Sequence, residues 1–345
     1  MAYEIDGFLR QCIQGCKARL PVSLAMTGTL PFDAWRAQLR AGITGMLGAF
    51  PAPAPLALQT IEEKQLPGVS RRFITYQSQE GLTVPAWYLV PDAPLPGKPG
   101  VVAIHGHGFG VDDIVGIRED GRDYAEGEDP GYHKSFALAL ARRGFHVISP
   151  ELLGFGRLRT ARDKAAGNAH ASSCHAVTTT LLMCGSSIAA ARVFQCVRAL
   201  DVLEALGDAD PTRLGCMGIS GGGLVSTFLA ALEDRIKDCV VSGYANTFEA
   251  SVLGVPMHCV DNFFFGALQL AEMPDILASI APRPMLWEMG DQDDIFPIEA
   301  GRGAAELVST VYRKLGAADV FAVDEFTGTH QISGAQSYDF LAKHL

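Results

Sequence analysis

From residue 100 onward, short apolar runs alternate with longer amphipathic stretches. The runs at 101–105, 146–149, 214–218, 239–242, 285–289 and 320–325 have the length of strands. The stretches at 134–143, 189–206, 222–232 and 298–315, with a last one from about residue 336, have helical length and spacing. Wholly apolar strands separated by helices are buried on both faces, so the pattern predicts an α/β fold, a doubly wound, mostly parallel sheet. Earlier in the chain, period-two alternation at 71–76 and 83–90 predicts an antiparallel pair turning at Glu80-Gly81. Trp35, Leu39, Met46 and Phe50 recur near helical spacing, with Pro31 and Asp33 suited to a helix start.

These patterns divide the chain into a helical N-terminal extension with its linker, 1–60, and a sheet domain, 61–345. The linker is the stretch Phe50-Pro-Ala-Pro-Ala-Pro55, whose prolines stiffen an extended path. The segments near 156–188 and 244–276 are longer than ordinary connections and are expected to be lids or substrate loops. The apolar extension, carrying Trp35 and Phe50, can pack on its own chain or on a second copy in a homo-oligomer.

Composition narrows the partners. The 345 residues carry 28 Lys+Arg against 38 Asp+Glu, a net charge of −10, and no basic stripe able to neutralise a nucleic-acid backbone. No stretch approaches the roughly 18 apolar residues of a membrane span, and the start Met-Ala-Tyr-Glu-Ile-Asp lacks the basic region of a signal peptide. A cytoplasmic location without membrane attachment is the expectation. Eight cysteines are too few for a disulfide scaffold, and Cys184, Cys196, Cys216 and Cys239, set among apolar residues, read as small buried hydrophobes. Cys12 and Cys16, or His105 and His107, lack further ligands at zinc-site spacing, so no metal is expected. The Gly-rich turns lack the strand–GxGxxG–helix unit of a dinucleotide site, so no organic cofactor is expected.

The chemistry concentrates at Gly218-Ile-Ser220-Gly-Gly222, a G-x-S-x-G string between an expected strand and an expected helix. That context suits a nucleophile elbow, where a serine occupies a tight strand-to-helix turn. A serine hydroxyl needs a base, and the base needs an acid to orient it. Asp291, Asp293 and Asp294 follow the strand at 285–289 and compete for the acid, with Asp293 favoured. His330 follows the next strand and is the candidate base. Acyl transfer also needs donors for the developing oxyanion. The backbone N–H of Gly221, next to the serine, and that of His107, in Ile104-His-Gly-His-Gly108, are the candidates.

Several motifs occur in order: Ile104-His-Gly-His-Gly108, 144–156, Gly218-Ile-Ser-Gly-Gly-Gly223, Ala281-Pro-Arg-Pro284, 290–297 and Gly328-Thr-His330. Over about residues 70–345 the chain resembles the α/β-hydrolase superfamily, in particular its acetyl xylan esterase-like and dienelactone hydrolase-like branch. The resemblance implies a Ser220–Asp293–His330 triad cleaving carboxylic esters, often of acetylated carbohydrates. Glu151 stands where such relatives usually carry aspartate, and Ser220 where dienelactone hydrolases carry cysteine. Many members of that family are secreted, whereas this chain shows no export signal, so a small-molecule ester is the expected substrate. A serine peptidase or amidase on the same triad is the alternative, and a non-catalytic binding protein on this scaffold a third.

Overall fold

The computed structural model describes residues 5–125, 127–255 and 258–345, and among these residues nine strands make one sheet. Helices α1 (Ile5–Gly15), α2 (Ser23–Met26) and α3 (Phe32–Leu47) come first. Strands β1 (Gln59–Leu66), β2 (Val69–Gln79), β3 (Leu82–Pro91) and β4 (Gly100–Ile104) follow. Helix α4 (Phe136–Arg142) leads to β5 (His146–Pro150). Helices α5 (Ala161–Ala165), α6 (Cys174–Met183) and α7 (Ile188–Leu206) precede β6 (Leu214–Ile219), which runs into α8 (Gly221–Leu232) and β7 (Ile236–Ser242). Helices α9 (Ala267–Leu270) and α10 (Met273–Ala278) precede β8 (Met285–Gly290). The series continues through α11 (Ile298–Lys314), β9 (Phe321–Phe326) and α12 (Ser337–His344).

Across the sheet the order is β1-β2-β3-β5-β4-β6-β7-β8-β9. The pairs from β1 to β5 are antiparallel and those from β5 to β9 are parallel. Alternate side chains of each strand point to opposite faces, and the buried residues divide accordingly. Val101 and Ala103 of β4 pack in one apolar layer with Phe136 and Leu140 of α4 and Leu341 of α12. Val102 and Ile104 pack in the other, with residues of α3, α7, α8, α10 and α11. Both faces are covered, which is why the central strands carry almost no polar residue.

The antiparallel pair expected from alternation is β2 and β3. Strand β1 has no counterpart in the sequence pattern, because Gln-Thr-Ile-Glu-Glu-Lys-Gln-Leu carries no buried side chain. It is an edge strand with a register shift between Thr60 and Glu62, and charge plus irregularity keep such an edge from pairing with other chains. The Pro-rich stretch is held against the body rather than free: the Leu56 carbonyl accepts from Gln77 N (2.7 Å) and the Ala54 carbonyl from Arg198 (2.7 Å). Cys184 corrects an expectation. It lies just after α6 and is exposed, whereas Cys196, Cys216 and Cys239 are buried. Flanking apolar residues mark burial only when the helix they sit on faces the core, and the end of α6 does not.

Trp35 and Leu39 of α3 are fully buried in their own chain, and Trp35 Nε1 donates to the Leu20 carbonyl at 3.0 Å. Among the described residues no single helix is long and apolar enough to cross a membrane. Emptying a buried aromatic site costs about 3–5 kcal/mol. Trp35→Ala is therefore expected to lower unfolding free energy by that amount in urea titration; a loss under about 1 kcal/mol would show that α3 contributes little to the core.

Candidate active site

Four of the expected site residues follow directly on parallel strands at their carboxyl ends, where open α/β sheets gather chemistry. Ser220 caps β6 and opens α8, with φ 58° and ψ −122°. For an L-residue with a side chain this is a sterically costly conformation, of order 1–3 kcal/mol. Two glycines make the turn possible by close approach. A Cβ on Gly218 would meet the Gly222 carbonyl oxygen at 2.4 Å, and one on Gly222 would meet the Ile104 oxygen at 2.0 Å. The elbow therefore sits directly on the end of β4, whose next residues carry the second set of site groups.

Asp293 lies in the loop after β8 and His330 in the loop after β9. His330 Nδ1 is 2.7 Å from Asp293 Oδ2, while Asp293 Oδ1 accepts from the backbone N–H groups of Ile295 (2.9 Å) and Phe296 (3.0 Å). These bonds fix the carboxylate and favour the tautomer with the proton on Nδ1. The other two candidates for the acid lie elsewhere. Asp291 accepts from Gly328 N (3.0 Å) and Thr327 Oγ1 (3.3 Å), so it holds the His330 loop, and Asp294 is exposed. Tyr132 and Phe296 each stack on the His330 ring at 5.6 Å between centroids. His330 Nε2 is buried and has no hydrogen-bond partner among the described residues. It belongs to a cavity of about 440 Å³ that Ser220, Gly221, His107, Tyr132 and His258 also line.

The loop after β4 is held by groups with no sequence signal. His133 is fully buried; its Nδ1 lies 2.8 Å from Asp113 Oδ2, and its Nε2 accepts the Gly106 N–H at 2.9 Å. Burial holds the His133 imidazole below its ordinary pKa, against the opposing pull of Asp113. The neutral ring can thus serve as donor on one side and acceptor on the other. Because His133 takes the Gly106 N–H, that donor is not free for a ligand. Tyr132 Oη donates to the His107 carbonyl, which turns the His107 peptide.

His105 faces the opposite way. Its Nδ1 lies 2.8 Å from the Gly106 carbonyl, and its Nε2 accepts from Leu152 N at 3.1 Å. Burial pulls it down to a pKa of about 3, so it stays neutral. Glu151 is raised by burial, although the Val111 N–H (2.8 Å) and Arg157 (3.2 Å) stabilise its charge. On the far side, Glu288 accepts from Ser242 Oγ (2.6 Å) and Gly334 N (2.9 Å), tying the chain after His330 back to β7 and β8.

Of the histidines that lie in the long connections, His258 lines the cavity with neither ring nitrogen bonded among the described residues. His170 is at the surface beside Glu119 (3.1 Å), and His175 lies on α6. His146 is buried on β5 against the Tyr88 hydroxyl, and His344 ends α12.

A mixed sheet in this order, with a strained serine between β6 and α8 and a histidine–carboxylate pair on the loops after β8 and β9, is the α/β-hydrolase fold. Solved esterases share this fold. An acetyl xylan esterase, so assigned, from Bacteroides fragilis NCTC 9343 superposes with a TM-score of 0.75 at 18% identity, covering 94% of this chain and 83% of that one. A glucuronoyl esterase from Solibacter usitatus gives 0.65 at 15% identity, covering 90% and 91%. Acetyl xylan esterase 1 from Thermoanaerobacterium sp. JW/SL YS485 gives 0.52 at 15%, covering 89% and 98%. In sequence, the chain is 28% identical over 302 residues to YtaP of Bacillus subtilis (strain 168), assigned as a hydrolase, covering 86% of this chain and 94% of YtaP. No protein-family model matches the chain.

The neutral, buried state of His105 predicts a pH dependence. Below pH 6.5 the unfolded chain binds a proton at this histidine and the folded chain does not, so stability is full above that pH and falls toward pH 3. At about 1.4 kcal/mol per pH unit, the loss by pH 5 is about 2 kcal/mol. Urea titrations at pH 7 and pH 5 should show His105→Gln losing about 2 kcal/mol less over this interval than the parent. Equal losses would contradict a neutral His105.

Proposed function

We propose that this chain is a serine hydrolase of carboxylic esters, acting on short-chain acyl esters, acetyl esters foremost, of a carbohydrate or another small molecule. The observation that carries the proposal is His330, bonded through Nδ1 to Asp293 and presenting an unpartnered Nε2 to the cavity that Ser220 lines. A fixed imidazole with one free basic nitrogen is what a serine nucleophile requires.

In the proposed reaction His330 Nε2 takes the proton of Ser220 Oγ as the oxygen attacks the ester carbonyl. The N–H groups of Gly221 and His107 stabilise the oxyanion, and Asp293 stabilises the imidazolium. His330 then gives its proton to the departing alcohol. Water, deprotonated in turn by His330, attacks the acyl-enzyme; the bond to Ser220 Oγ breaks, His330 returns the proton to that oxygen, and the acid leaves. His133 is a positioning residue in this scheme: by taking the Gly106 N–H it sets the peptide that follows, leaving the His107 N–H to the oxyanion.

The cavity supports a small substrate. Its 440 Å³ suits a compact acyl group and part of its alcohol. Apolar Val255, Ile295 and Phe296 share its walls with His258 and Asn262. Both ring nitrogens of His258 and the side-chain oxygen of Asn262 are buried without partners among the described residues, which suits an alcohol that carries further hydroxyls. The names of the structural neighbours, acetyl xylan esterase and glucuronoyl esterase, point the same way.

Ser220→Ala, with its circular dichroism unchanged, is expected to lose p-nitrophenyl acetate turnover by at least about 10⁴-fold. A rate within tenfold of the parent would remove Ser220 as nucleophile. Replacing His258 with Phe is expected to raise KM for an acetylated monosaccharide by roughly tenfold while sparing p-nitrophenyl acetate, as loss of one buried hydrogen bond implies. Equal effects on both substrates would contradict a hydroxyl-binding role.

A further inference from the structure

Beside the catalytic cavity, four side chains of metal-ligand type converge from three separate segments. His107 comes from the loop after β4, Cys174 from the first turn of α6, and Cys259 and Asp261 from the long connection after β7. Their donor atoms all lie within 4.8 Å of one another. Cys174 Sγ is 4.0 Å from His107 Nε2 and 3.8 Å from Asp261 Oδ2, and His107 Nε2 is 3.8 Å from Asp261 Oδ2. The proposed esterase chemistry uses none of these side-chain atoms.

We infer that His107, Cys174, Cys259 and Asp261 form a tetrahedral site for a zinc-class divalent cation. Tetrahedral zinc, with bonds of about 2.3 Å to sulfur and about 2.0 Å to nitrogen and oxygen, places its ligands roughly 3.3–3.8 Å apart. These 3.8–4.0 Å separations need close by about half an ångström, and the 4.8 Å limit leaves no pair more than about 1.5 Å to close. Two thiols and an imidazole are soft donors that select zinc over magnesium or calcium.

Charge supports the same assignment. Arg192 is fully buried here, with Nη1 2.6 Å from Asp261 Oδ2 and Nη2 3.1 Å from Cys174 Sγ. With both thiols deprotonated, two thiolates and one carboxylate face one guanidinium, leaving two negative charges for a divalent cation to balance. Arg192 then acts as the outer partner that orients two ligands, and it is itself fixed by the Leu153 carbonyl (2.9 Å) and the Phe155 ring. The Asn262 amide donates to Asp261 Oδ1 (2.8 Å), satisfying the other carboxylate oxygen. His107 and Cys259 also line the catalytic cavity, which supplies a path of entry. A bound cation would fasten the loop after β4 to both long connections.

Chelator-stripped, reduced, full-length protein titrated with Co²⁺ alone tests this without reference to ester hydrolysis. The site predicts saturation at one equivalent, with thiolate-to-cobalt charge transfer and the visible bands of tetrahedral cobalt, both abolished by added Zn²⁺. It also predicts a melting temperature that rises with Zn²⁺ concentration. Cys259→Ser and, independently, His107→Gln should weaken Co²⁺ binding at least about tenfold. Absence of the charge-transfer band while all thiols remain free would overturn the assignment. So would equal Co²⁺ affinity in the parent and both variants, or loss of two thiols to a Cys174–Cys259 disulfide in place of metal uptake.

Discussion

The site depends on one backbone position held in a conformation it would not choose. Ser220, at φ 58° and ψ −122°, turns the chain from β6 into α8 so sharply that its side chain stands clear of both elements. The strain persists because its surroundings leave no room to relax. Gly218 and Gly222 pack at distances that no Cβ would allow, and the Ser220 N–H is tied to the Ser242 carbonyl at the end of β7 (3.0 Å). Parallel pairing of β6 with β4 on one side and β7 on the other makes that frame rigid. The sheet does more than carry the serine: its register brings the loops after β4, β8 and β9 to the same edge.

Loops alone would not hold their side chains to hydrogen-bond tolerance, and here polar groups fasten them, all buried except Asp291. His133 and Asp113 clamp the turn after β4, Asp291 ties the loop after β8 to the loop after β9, and Glu288 anchors the chain beyond His330. Each of the buried groups would be costly to leave unpaired, so each either keeps its partners or destabilises the loop it serves. The folding energy of these loops and the geometry of the site are thus carried by the same bonds.

Much of this architecture is legible in the sequence because the elements that matter are strongly patterned. Apolar runs bounded by amphipathic stretches locate the central strands, and the G-x-S-x-G string between a strand and a helix locates the turn at Ser220. The single strand β1 escaped because a two-sided, solvent-exposed edge strand has no apolar period to detect. His133 and Asp113 escaped for a different reason. They lie in a stretch without periodicity, and their roles arise only when the loop folds onto β4. Cys174, Cys259 and Asp261 meet His107 across segments far apart in the chain, so short-range ligand spacing could not reveal them. The sequence favours Asp293 over Asp291 and Asp294, and geometry separates it further: Asp293 is buried and bonded to His330, whereas its two neighbours on the loop are exposed.

The central claim, that the strained serine is the nucleophile of an acyl-transfer site, is tested most directly by covalent capture. A fluorophosphonate reacts only with a serine whose hydroxyl is activated by a neighbouring base. Incubation of the protein with such a probe, followed by peptide mass spectrometry, should find one adduct per chain, on Ser220, formed at a rate that Asp293→Asn sharply reduces. An unmodified Ser220, or an adduct on another serine, would contradict the account.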